Sequence, residues 1–206
     1  RPLRVLVLMD TTIISGPLRQ LVASLNDLAA HQVTAHVILT TRRGRDARDV
    51  LAFLAAHDIA YTHVEASHRF DRHALHVHQQ AIRTGQYDLV QTHGYRATVM
   101  GFLLQRMHAR RPWVAFFHGR TFESLAVRLF DRLGIWCAQA ADRIVIVAER
   151  HRAYFARAGV RVVHLPNAIL TPPSAAPSSE DMPTHPVPAR LIYVGRLSPE
   201  LSLIHI

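Results

Sequence analysis

The sequence predicts an α/β fold, a doubly wound Rossmann-like parallel sheet, and three observations carry that prediction. Short aliphatic runs alternate with amphipathic segments from residue 3 to residue 165. The runs are rich in β-branched residues and almost unbroken, as in strands buried on both faces. The segments between them repeat apolar residues every three or four positions, which marks one face of a helix. Strands alternating with helices imply βαβ units, right-handed crossovers and helices on both faces of a mostly parallel sheet. A ligand crevice is then expected at the carboxyl ends of the strands, where strand order reverses.

The first strand is expected over residues 3–9 (LRVLVLM), with a loop over 10–15. Pro17 suits the first turn of a helix whose Leu18, Leu21, Val22, Leu25 and Leu28 share one face. A strand over 33–40 precedes a short helix over 47–56 that turns Val50, Leu51 and Leu54 inward. The alternation continues with strands at 60–64, 89–92, 113–117, 143–147 and 161–165, and helices at 74–83, 97–108, 123–140 and 149–158. From Pro166 the character changes. Residues 171–188 hold six prolines among Ser, Thr and Ala, a linker composition. Residues 190–194 (RLIYV) read as a new strand. The plan is a Rossmann-like domain at 1–170, a Pro-rich linker at 171–188, and the first strand of a second domain at 189–206.

Composition narrows the function. The chain has 206 residues, 49% of them hydrophobic, enough for one sizeable core plus a fragment. No apolar stretch reaches the ~20 residues of a membrane span, and no signal peptide is visible, although the chain does not begin with Met. Cys137 is the sole cysteine, which excludes an internal disulfide and a cysteine-based zinc site and fits a reducing, cytoplasmic location. The net charge is +9, and all 24 basic residues are arginine. The absence of lysine reads as codon bias, but the positive excess attracts phosphate-bearing partners. Nucleic acid is disfavoured, since the aromatics are sparse and not interleaved with the arginines. Among the fifteen histidines, His73 and His76 share a helical face while His78 does not. With His63, His68 and Asp71 nearby, the set reads as surface histidines rather than a metal site. The cluster Arg42, Arg43, Arg45 and Arg48 is a solvated loop or a contact for acidic lipid headgroups. In the helix beyond residue 125, Leu129, Phe130, Leu133 and Trp136 are expected to pack into the core.

Five motifs fall at expected strand ends. Ser15-Gly16-Pro17-Leu18-Arg19 follows the first strand, where a glycine admits a ligand to the backbone and a helix start offers free N–H groups and a positive dipole end. As a plain sequence feature, Gly16 is equally a turn before a helix. Thr92-His93-Gly94-Tyr95-Arg96-Ala97 follows the fourth strand. There Arg96 is placed to hold an anion, and His93 is either a cleft residue or a packed strand-end histidine. Phe116-Phe117-His118-Gly119-Arg120 follows the fifth, and an imidazole there can donate a hydrogen bond to developing charge without ionising. Asp142-Arg143-Ile144-Val145 leads on to Leu165-Pro166-Asn167-Ala168, where Asn167 reads as structural. Last comes Val194-Gly195-Arg196-Leu197-Ser198-Pro199-Glu200.

The types and order of these motifs resemble family-4 glycosyltransferases, retaining enzymes of the GT-B fold, over residues 3–200. The resemblance implies transfer of a sugar from a nucleotide diphosphate sugar to a hydroxyl acceptor, in glycan or glycolipid biosynthesis, across a cleft between two Rossmann-like domains. It implies His118 as the catalytic residue, Gly16 and Arg196 at the donor phosphates, and Arg19, His93, Arg96, Gly119 and Glu123 in the acceptor cleft. It implies no metal and no cofactor beyond the donor substrate, and a cytoplasmic enzyme with a possible peripheral contact at the inner face of the membrane. The family's G-G-x-x-R has one glycine here, Ala148 and Ala168 replace the family's Ser and Gly, and Leu201 stands at the family's lysine. Residues 201–206 leave the pattern and are expected to be foreign to it. The chain is therefore expected to be the N-terminal half of such an enzyme, with little activity alone and a tendency to aggregate through its unpartnered last strand. A non-catalytic Rossmann-like module is the alternative. A nicotinamide dehydrogenase is set aside, because residues 10–16 lack G-x-G-x-x-G and Thr40-Thr41-Arg42 ends the second strand without an acid.

Overall fold

The first βα unit sets the pattern for the whole domain. In β1 (Leu3–Asp10), Val5, Leu6, Val7, Leu8 and Met9 are all buried. The next element, α1 (Gly16–Ala29), is capped by Ser15, whose Oγ accepts from the Leu18 N–H at 3.5 Å, with Pro17 in its first turn. Then come β2 (Val33–Arg42), α2 (Arg48–Ala56), β3 (Ala60–Ala66), α3 (Arg72–Thr84) and β4 (Leu89–His93). They are followed by α4 (Tyr95–Met107), β5 (Trp113–Phe117), α5 (Leu125–Ala138), β6 (Arg143–Ile146) and β7 (Arg161–His164). The computed structural model describes residues 1–68, 71–107, 111–119, 125–156 and 161–167. The chain divides into two compact units, Arg1–Ala168 and Ile169–Ile206. The expected linker and the strand at 190–194 belong to the second unit and lie outside the described residues.

All seven strands form one parallel sheet in the order β3-β2-β1-β4-β5-β6-β7. The order reverses between β1 and β4, so a crevice opens where the helices after these two strands diverge. Alternate side chains divide the core in two. Val5, Val7 and Met9 pack with Val37 and Leu39 beneath Leu18, Leu21, Val22 and Leu25 of α1 and Val50 and Leu54 of α2. Leu6 and Leu8 pack on the opposite face with Ile38, Ala97 and Leu104 of α4, Trp113 and Ile144. The helices therefore lie on both faces of the sheet, as the alternation predicts.

Glycine fixes how closely α5 approaches α4. A Cβ added at Gly134 would lie 2.7 Å from the Tyr95 Cβ. The buried residues of α5 are accordingly Asp131, Gly134, Cys137 and Ala138 among those described. This corrects the expectation for that helix: Leu129 and Trp136 are 66% and 59% exposed, because the tight packing admits only small residues on the buried side. Leu28 of α1 is 41% exposed rather than inward. It lines a groove along α1 together with Leu25, Gln91 and Leu165. The expected helix at 149–158 is a 3₁₀ segment, Glu149–Phe155. His78, read as a surface residue, is buried inside α3, with its Nδ1 bonded to the Ala74 carbonyl oxygen at 2.6 Å. His73 and His76 are exposed, as expected. Asp71 caps α3, with Oδ1 accepting from the His73 and Ala74 N–H groups at 2.8 and 3.2 Å.

Candidate functional site

The carboxyl ends of β1, β4 and β5 enclose a cavity of about 210 Å³. In register, His93 lies between Met9 of β1 and Phe116 of β5. Asp10 and Thr11 border the cavity from the end of β1, and Ser15 and Pro17 from the start of α1. His93, Gly94 and Tyr95 border it from the turn into α4, and Phe117, His118 and Gly119 from the end of β5. Asp131 and Gly134 of α5 close the side. Gly94 and Gly119 have φ of +89° and +118°, values that L side chains rarely adopt. These two glycines let the chain turn sharply after each strand and leave the histidines at the rim.

Two histidines meet beside the cavity. His93 Nδ1 and His118 Nε2 are 3.0 Å apart, and the His93 ring stacks on Phe116 at 4.5 Å between centroids. Burial lowers the pKa of both. His93 falls well below its ordinary value through burial first and the neighbouring His118 second. His118 falls to about 4 through burial. Both rings are neutral at pH 7. His118 Nδ1 is buried and has no hydrogen-bond partner among the described residues. Leaving such a group unpaired costs about 1–3 kcal/mol. His151 shares this condition at its own Nδ1, and its ring sits 3.4 Å from where a Gly119 Cβ would lie.

Asp10 is the acidic group at the end of β1. Burial raises its pKa to about 6, although Arg96 opposes the shift by charge and hydrogen bond. Arg96 Nε lies 3.1 Å from Asp10 Oδ2, and Nη1 donates to Oδ1 at 3.2 Å. The carboxyl is therefore mostly ionised at pH 7 and takes up its proton about a unit below, well above the ordinary carboxylate range, a state suited to accepting a hydrogen bond or a proton.

The structure brings His93, Gly94, His118 and Gly119 together at one cavity. Arg96, in the first turn of α4, borders a smaller neighbouring cavity instead, and its charge is engaged by Asp10 rather than free for an anion. Gly16 opens α1 and is exposed, with nothing within 4 Å of an added Cβ. Arg19 points away from the cavity, and its guanidinium lies over the Phe53 ring at 5.6 Å. Glu123 and Arg196 lie outside the described residues. Sequence reasoning missed Asp10 and Asp131. Asp10 carries a signal in hindsight, as the acid that ends the first strand. Asp131 carries a weaker one, since a charged residue shares the small stripe with Gly134 and Ala138. Among the described residues, no group of three His, Cys, Asp or Glu side chains could hold a metal ion, and no helix is long and apolar enough to cross a membrane.

The family model of Glycosyltransferase Family 4 matches residues 15–171. No curated protein matches the chain. Solved structures do. The crystal structure of Anabaena Alr3699/HepE in complex with UDP-glucose aligns at a TM-score of 0.61 and 20% identity, covering 81% of this chain and 44% of that one. A UDP-N-acetylglucosamine 2-epimerase aligns at 0.59 and 16%, covering 78% and 46%. The UDP-GlcNAc 2-epimerase of Neisseria meningitidis bound to UDP-GlcNAc aligns at 0.55 and 15%, covering 79% and 45%. The likeness is one of fold, and the chain spans less than half the length of each of these three structures.

Proposed function

The chain belongs to Glycosyltransferase Family 4, and from that premise we propose that it forms the acceptor-side domain of a retaining glycosyltransferase. The enzyme transfers a sugar from a nucleotide diphosphate sugar to a hydroxyl group of a glycan, a lipid-linked acceptor or a small molecule. The observation that carries this reading is the His118-Gly119 turn beside a cavity at the strand-order reversal. In this reading a neutral His118 donates a hydrogen bond to the sugar in transfer, where fixed donors matter most. Gly119 leaves room for the ligand. The start of α1 at Gly16 faces the donor phosphates, helped by the positive end of the helix dipole, and Arg196 in the second domain neutralises the leaving diphosphate. No metal takes part. Asp10, poised near neutrality, receives the acceptor hydroxyl. Arg42, Arg43 and Arg45, exposed at the end of β2 on the same rim as the cavity, would hold that rim to an anionic lipid surface in the cytoplasm.

The epimerases that share the fold supply the competing reading, in which the site acts on the sugar nucleotide alone. The test is turnover of a panel of UDP- and GDP-sugars by the longest chain the locus encodes, with His118→Ala alongside. Transfer to a hydroxyl acceptor, lost in the variant, supports the proposal. Epimerisation without transfer, or no binding of any sugar nucleotide, overturns it. Vesicles with and without phosphatidylserine test the lipid contact, which fails if binding is equal on both.

A further inference from the structure

A line of side-chain hydrogen bonds runs from the sheet to the cavity. Gln91 and His93 lie two residues apart on β4 and so point to the same face. The Gln91 Nε2 amide lies 2.7 Å from His93 Nε2, His93 Nδ1 lies 3.0 Å from His118 Nε2, and His118 Nδ1 is buried without a partner. An amide nitrogen only donates, so His93 Nε2 must accept. A neutral imidazole carries one N–H, which on His93 then sits on Nδ1 and donates to His118 Nε2. His118 must in turn carry its own N–H on Nδ1. Each hydrogen bond fixes the tautomer of the next ring.

We propose that Gln91 and His93 are positioning residues that lock His118 in the Nδ1–H tautomer, so that a neutral N–H donor with no partner among the described residues is held beside the cavity for an oxygen atom of the bound sugar. The nature of that ligand rests on the transferase reading above; the tautomer does not. An Nδ1 lone pair at the same place would repel a sugar oxygen unless the sugar itself donated. The lock therefore decides whether the site takes a hydrogen-bond acceptor or a donor there. Packing supports it: the His93 ring stacks on Phe116, which fixes the plane in which its two nitrogens point.

The experiment is long-range ¹H–¹⁵N correlation on the ¹⁵N-histidine-labelled chain at pH 7.5, with the two rings assigned by His93→Gln and His118→Gln. Both rings are expected to show a protonated-type Nδ1 and an unprotonated-type Nε2. An Nε2–H tautomer at either ring, or averaged shifts at His118, overturns the proposal. In Gln91→Leu, which removes the anchor, His118 is expected to move to mixed or Nε2–H shifts while the backbone spectrum is kept. An unchanged His118 tautomer in that variant also overturns it. In the full-length protein, Gln91→Leu is expected to lower kcat about tenfold with donor KM little changed. Fixed tautomers in a protein that turns over no sugar nucleotide would instead sink the transferase reading and leave the lock standing.

Discussion

Two cavities flank the end of β1, and they differ in how their polar groups are spent. The one beneath α3 is only about 20 Å³, and its polar groups are paired. Arg96 binds Asp10, His78 Nδ1 meets the Ala74 carbonyl oxygen, His78 Nε2 lies 3.4 Å from Thr40 Oγ1, and Asp71 takes three backbone N–H groups. The one between α1, α4 and α5 is about 210 Å³ and leaves the buried His118 Nδ1 without a partner among the described residues. A paired buried histidine stabilises the fold, whereas an orphaned one costs stability and persists where a ligand completes it. The contrast separates His78, expected at the surface and found paired in the core, from His118, expected in the site.

The sharpest way to break the comparison is to exchange the two losses. His118→Ala is expected to lower turnover by on the order of 10²–10³-fold, as when a donor to developing charge is removed, with little change in the unfolding midpoint. His78→Ala is expected to cost about 1–3 kcal/mol of stability and to leave the kcat of the folded enzyme within a few-fold. Denaturant titration beside sugar-nucleotide turnover measures both. Equal stability losses in the two variants would erase the distinction.

Acid should unfold the domain through the same histidines. Their folded pKa values lie below the ordinary 6.5: about 4 for His118, well below for His93 and lowered for His78. Their contribution is complete above pH 6.5 and is lost as pH falls toward 4, because the unfolded chain binds protons the folded one refuses. For His118 alone this is roughly 3 kcal/mol. Asp10 works the other way: its folded pKa of about 6 exceeds the ordinary 3.8, so it favours the fold as pH drops through that range. Three histidines outweigh one carboxyl, and the midpoint should fall between pH 6.5 and 4. His118→Ala should flatten that slope. A midpoint that stays level over this range would contradict the buried neutral rings.

Arg96 offers a smaller effect of opposite sign. Arg96→Met leaves Asp10 buried without its cation, so its pKa should climb further above its already raised value. At pH 7.5 the loss is expected to be about 1–3 kcal/mol, below that of a fully buried pair because both side chains remain partly exposed. At pH 5 most of it should vanish, since Asp10 is then protonated. A loss that is the same at both pH values would mean that Arg96 matters through packing, not charge.

Most of the fold was legible in the sequence because buried parallel strands and amphipathic helices have distinct periods. The runs at Leu3 and Val33 and the Leu18, Leu21, Val22, Leu25 stripe needed no tertiary information. What escaped depended on neighbours. The face that α5 buries is set by Gly134 against Tyr95, and apolar count alone selects Leu129 and Trp136 instead. The site was legible where a glycine with positive φ followed a strand-end histidine, at His93-Gly94 and His118-Gly119. It was illegible where function depends on a partner distant in sequence. Arg96 looks like an anion holder until Asp10 is found against it, and Gln91 has no signal at all until its amide is seen on His93.

The gentlest probe compares two glycines of the same expected cleft. Gly119 has φ +118°, and an added Cβ would meet His151 at 3.4 Å. Gly119→Ala should therefore cost about 1–3 kcal/mol in backbone strain. Gly16 lies at the start of a helix with nothing within 4 Å of an added Cβ, so Gly16→Ala should shift stability by no more than about 0.5 kcal/mol. If the donor phosphates approach this helix start, the methyl group occupies their path, and sugar-nucleotide affinity should fall in Gly16→Ala although the fold is untouched. Calorimetric titration with UDP and GDP on the full-length variant reads this directly. Unchanged affinity would make Gly16 a plain turn and move the phosphate site away from α1, leaving the cavity at His118 to meet the donor.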